Sequence, residues 1–114
     1  MTFVQILQIL AVVVTLLTGV YSLVQPKKIK GFTGLEASSP RAITEIRAVM
    51  GGTFVGLGIA ALVFPIPEVY KTLAIMYAAI ALIRGISMVV DKSVVRSNVI
   101  SLATEVVLVI ILVL

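Results

Sequence analysis

Ser39 to Gly58 read SPRAITEIRAVMGGTFVGLG, and the fold turns on how this stretch is accommodated. Glu45 and Arg47 stand just inside a long apolar run, and glycines follow at 51, 52, 56 and 58. Ionisable side chains in an apolar helix are costly in lipid unless other helices cover them, and small residues let a neighbouring backbone come close. The stretch therefore predicts a membrane helix that needs companions. Pro40 after Ser38 and Ser39 is a helix-start signal, since proline is tolerated in the first turn and a hydroxyl can cap exposed amides. This span is predicted over residues 40–64.

The composition agrees. Of 114 residues, 61% are hydrophobic and 12% charged, where soluble domains average roughly 45–50% and 25%. The mean hydropathy is +1.24, and the length suits one domain. The chain has no cysteine and no histidine, which removes disulfides, thiolate chemistry, imidazole ligation, the usual zinc sites and the usual general base. No metal and no cofactor is expected. The net charge of +4 would suggest nucleic acid if the basic residues shared a soluble face. They gather instead beside span ends, where they read as topology signals, and nucleic acid is not an expected partner.

Outward from the central stretch, residues 3–24 carry no formal charge, and 22 residues at a rise of 1.5 Å reach about 33 Å, enough for a hydrocarbon core of about 30 Å. No basic region precedes this run and no small-residue cleavage pattern follows it, so a removable signal peptide is not expected. Gln8, Ala11, Thr15, Thr18, Gly19 and Ser22 fall on one side at helical spacing and should face other helices. Pro26 ends the span. The loop 25–41 carries Lys27, Lys28, Lys30 and Arg41 against Glu36 alone, so it is predicted to be cytoplasmic and in contact with lipid headgroups.

Pro65 and Pro67 force an outer turn. A third span is predicted over 69–90, with Lys71 able to snorkel at one end and Arg84 near the other. Ala74, Ala78, Ala81 and Gly85 give it a small-residue edge. Its uncharged run of 12 residues, Thr72 to Ile83, is short, so a tilted or re-entrant helix is the alternative. Asp91, Lys92 and Arg96 mark a second cytoplasmic turn with headgroup contacts. A fourth span over 94–114 carries the stripe Asn98, Ser101, Thr104 and Glu105. The expected architecture is an all-α integral membrane four-helix bundle in one domain, multi-pass in a cell inner membrane, with both termini on the non-cytoplasmic side.

Two features of the spans are candidates for function. Glu45, Arg47, Arg84 and Glu105 all fall in the inner half and sum to zero charge, as a closed intramembrane ionic cluster requires. An unpaired charge at mid-membrane costs about 2.5–3.5 kcal/mol on insertion scales. Glu105 is therefore predicted to pair with Arg84 or Arg47, and Glu45 with the other arginine or with Arg41 one turn back. The second feature is a small-xxx-small row, Ala48, Gly52, Gly56 and Ala60, beside an adjacent row through Gly51 and Gly58. Packing inside one chain is the preferred reading of the row and contact with another subunit the alternative.

Pro26, the string TEIRAVMGG (Thr44 to Gly52) with GLG after it, Arg84-Gly85, Asp91 and Glu105 together resemble short four-span bacterial membrane proteins filed as a domain of unknown function. These are similar in layout to DoxX-like four-helix proteins. The resemblance covers nearly the whole chain and implies that Glu45, Arg47, Gly51, Gly52, Arg84, Asp91 and Glu105 are signature positions. It implies a fold and no established activity.

Function is therefore expected to lie in contacts: a structural or accessory subunit that packs against other membrane proteins or itself within the lipid bilayer. The alternative is a lipid-, quinone- or proton-binding module built on the Glu/Arg cluster. An enzyme is not expected, because the sequence offers no nucleophile-base pair and no metal cluster.

Overall fold

A computed structural model describes all 114 residues. Its helices are α1 (Phe3–Val24), a single turn α2 (Lys30–Thr33), α3 (Pro40–Val63), α4 (Pro67–Val90) and α5 (Arg96–Val113), with no strand. Four of them, α1, α3, α4 and α5, are long and apolar enough to cross a membrane. Large apolar side chains such as Leu17, Leu62, Ile75, Leu82, Val89 and Ile110 are exposed on their surfaces, as helices in contact with hydrocarbon require. The architecture fits a multi-pass protein in a lipid bilayer.

Helix boundaries follow local chemistry. Ser39 is extended, its hydroxyl accepts from the Ala42 amide at 3.1 Å, and Pro40 begins α3. α4 begins at Pro67, two residues before the expected start, because proline is compatible with the first turn and Ile66 supplies the extended residue before it. α5 begins at Arg96 because Val95 is extended, with φ −117° and ψ 160°.

The end of α4 is a left-handed cap. Lys92 has φ 53°, and the Ser93 amide donates to the Met88 carbonyl at 3.0 Å. That six-to-one bond satisfies a carbonyl which the helix end would otherwise leave open. Pro26 stops α1 as expected, and Gly34, at φ +77°, caps α2.

One irregularity lies inside α3. Residues Ile46–Gly51 form a π turn between two α-helical segments. Such a turn packs one extra residue into the helix and shifts the phase of everything after it.

The chain divides into two compact units: Met1–Ala11 with Pro65–Leu114, and Val12–Phe64. In the first, α4 and α5 run along one another. Leu73, Ala74, Tyr77, Ala81 and Met88 are buried on α4, and Glu105, Leu108 and Leu112 on α5. Ala78, expected on the small edge of α4, is exposed.

In the second unit, α1 from Val12 onward packs against α3. Thr15, Gly19 and Ser22 are buried, as their shared side predicts, whereas Thr18 is exposed and its hydroxyl donates back to the Val14 carbonyl. The two helices come close at glycine. A Cβ on Gly19 would stand 2.6 Å from the Val55 amide nitrogen, and one on Gly58 2.5 Å from Leu16 Cγ.

Candidate functional site

In the first unit, α4 contributes Arg84, and α5 contributes Asn98 and Glu105, seven residues apart and so on one helix face. Arg84 donates from Nε to Glu105 Oε1 and from Nη2 to Glu105 Oε2, both at 2.8 Å. This is a bidentate guanidinium–carboxylate pair, which fixes orientation as well as distance. Arg84 Nη1 also donates to Asn98 Oδ1 at 2.9 Å, and Asn98 Nδ2 donates to the Ser93 carbonyl at 3.0 Å. Asn98 thus ties the ion pair to the turn between the helices.

Glu105 is 8% exposed, and no buried side-chain polar atom lacks a partner. Satisfaction of this kind is the condition for tolerating a charge away from water. The pair holds α4 and α5 in one relative register. Nearby, the Ser87 hydroxyl donates to Asp91 at the end of α4, so that this carboxylate is tied to its own helix.

The other two expected cluster members find local partners in the second unit. Arg41 pairs with Glu45 one turn along α3, both of them exposed, and exposed pairs of this spacing contribute only about 0.3–0.5 kcal/mol. Arg47 donates from Nε to the Leu23 carbonyl at 3.0 Å. Leu23 lies in the last turn of α1, where carbonyls have no partner within their own helix. The four residues are therefore divided into a buried pair, a surface pair and a cap. The Leu23 carbonyl carries no side-chain signal that a sequence reading could have used.

The glycines sort in an unexpected way. Gly51 and Gly58 are buried: a Cβ on Gly51 would meet Leu23 Cδ2 at 2.7 Å. Ala48, Gly52 and Gly56 depart from the expectation of packing inside the chain, since all three are exposed, and a Cβ on Gly52 or Gly56 would meet nothing within 4 Å. Gly85 likewise has open space in front of it. The π turn lies within this region, with Ala48 inside it and Gly52 just after it. Gly19, the partner of the buried row, was legible only as one member of the small side of α1.

Lys27, Lys28, Lys30, Arg41, Asp91, Lys92 and Arg96, the expected topology and headgroup residues, are all exposed. Lys30 pairs with Glu36 at 3.3 Å.

The model of a domain of unknown function, DUF4345, matches residues 3–114. The chain belongs to this family. No curated protein and no solved structure matches it. Four apolar helices fit the four-span layout of the resemblance drawn from the TEIRAVMGG string, and the family name carries no activity with it.

Proposed function

We propose that this DUF4345 protein is a non-catalytic structural or accessory subunit of a cell inner membrane, which packs against another membrane protein or a second copy of itself. The observation that carries the reading is the exposed Ala48, Gly52 and Gly56 row on α3, with nothing within 4 Å of a Cβ at either glycine. The in-chain contact is made by Gly19, Gly51 and Gly58 instead. A strict GxxxG is the pattern that admits a second helix at close range. The Arg84–Glu105 pair then serves as a register pin rather than as a reaction centre. The basic loop 25–41 supports a cytoplasmic position for that loop and outer positions for both termini.

The test is purification in mild detergent, followed by mass determination of the wild type and of a Gly52→Leu/Gly56→Leu variant. The expected outcome is a homo-oligomer or a stoichiometric partner that the variant loses while its own thermal stability stays the same. A wild type that is monomeric and partner-free both in detergent and in lipid nanodiscs would sink the reading.

A second reading, a module for a lipid, quinone or proton, draws support from an open groove of about 400 Å³ lined by Ala79, Ile80, Ile83, Arg84, Ser87 and Asn98. It combines apolar walls with three polar side chains, the usual make-up of a ligand pocket. Its weakness is that Arg84 is already neutralised by Glu105.

A further inference from the structure

The two intrahelical arginines are used differently. Arg84 commits its charge to Glu105. Arg47 commits only Nε, to the neutral Leu23 carbonyl, and the rest of its guanidinium stands at an exposed position. Its Nη1 and Nη2 groups, with four N–H donors, make a planar fork of the kind that matches phosphate oxygens. The bond to Leu23 holds the side chain in place beforehand, which reduces the ordering cost of binding.

The charge balance of the second unit points the same way. Residues 12–64 contain five basic and two acidic side chains, a net +3. Glu36 is taken by Lys30 and Glu45 by Arg41. Lys27, Lys28 and Arg47 are left without a carboxylate. All three lie at one end of the unit: Arg47 sits against the last turn of α1, and Lys27 and Lys28 follow that turn directly after Pro26. An apolar helix surface begins beside them, with Tyr21, Val24 and Val49 exposed. A cation cluster at the border of an apolar surface matches an amphiphile with an anionic head.

We propose that Arg47, Lys27 and Lys28 form a binding site for the phosphate of an anionic phospholipid, with the Arg47 fork on the phosphate oxygens and the acyl chains along α1 and α3. The proposal is independent of the accessory-subunit reading, because it needs no protein partner. It also gives the π turn at Ile46–Gly51 a local role, since Arg47 is the second residue of that turn and takes its direction from it.

The experiment titrates the purified full chain with phosphatidylglycerol and with phosphatidylcholine of the same acyl chains, read by native mass spectrometry, with inorganic phosphate in a parallel arm. One phosphatidylglycerol is expected to be retained, with phosphatidylcholine at least about tenfold weaker. Each basic residue near an anionic group is worth about fivefold, so Lys27→Gln/Lys28→Gln should weaken phosphatidylglycerol about 25-fold at unchanged thermal stability. Arg47→Lys keeps the charge and loses the fork, and should also weaken it. Lys71→Gln, in the first unit, should leave it within about twofold.

Equal binding of the two lipids, or indifference to the Lys27/Lys28 double substitution, would overturn the proposal. Displacement of the lipid by millimolar inorganic phosphate would assign the site to free phosphate and overturn it too. The Lys27/Lys28 variant decides the matter if Arg47→Lys does not fold.

Discussion

Gly19 and Gly51 face each other so closely that a Cβ on Gly19 would lie 2.8 Å from the Gly51 carbonyl oxygen. The obstacle is backbone, so no side-chain rotation relieves it. Gly19→Ala should cost about 1–3 kcal/mol, as overpacking does, and lower the unfolding temperature in detergent. Gly56→Ala, with open space in front of it, should change the monomer by less than about 1 kcal/mol. Equal effects from the two substitutions would contradict the packing described here.

Removal of one member of the Arg84–Glu105 pair leaves the other without its partner. Glu105→Gln presents an amide N–H₂ toward a guanidinium and should lower stability by about 1.5–3 kcal/mol, the range for hydrogen bonds to charged groups. A combined Arg84→Met/Glu105→Leu variant removes both charges and should be more stable than either single variant. Thermal unfolding of the four proteins forms a double-mutant cycle, and strict additivity would mean that the contact carries no coupling.

Lys92 occupies the left-handed region at the end of α4, where glycine is the favoured residue. Lys92→Gly should leave stability unchanged or raise it by up to about 1 kcal/mol, since relief of the backbone cost competes with the greater freedom of glycine in the unfolded chain. A clear fall in the unfolding temperature would mean that the lysine side chain itself matters there.

The Ser39 hydroxyl satisfies the Ala42 amide at the start of α3. Ser39→Ala should cost about 1 kcal/mol, and Ser39→Asp should restore the loss. Thermal unfolding of the three proteins distinguishes a cap from an incidental contact.

Much of the architecture is legible in the chain because its signals are local. Pro26, Pro40, Pro65 and Pro67 punctuate the helices, and apolar run length in lipid leaves few alternatives to a helix. The Arg84–Glu105 partnership is legible in part: charge balance and depth reduced Glu105 to two candidate arginines, and the geometry selects Arg84. The rest depends on phase and on backbone. Spacing arithmetic treated Ala48 to Ala60 as a uniform α-helix, yet the π turn intervenes at Ile46–Gly51. Arg47 turned to a main-chain acceptor, and every residue has a carbonyl, so no residue type announces one. Asn98 was visible as a member of a polar stripe, but its link from Arg84 to the Ser93 carbonyl exists only once the Asp91 to Val95 turn is folded.

The wide turn in α3 works like a spacer on a shaft. Each residue of an α-helix advances the direction of the next by about 100°, so excision of one position there, Val49 for example, would restore even winding and swing Gly52–Val63 by roughly that angle against Arg41 and Glu45. Chain length across the span would hardly change, while the smooth glycine face and the cationic end would point along new bearings. Insertions and deletions in these six residues are thus the economical route by which such a protein could retarget one surface without redrawing the other.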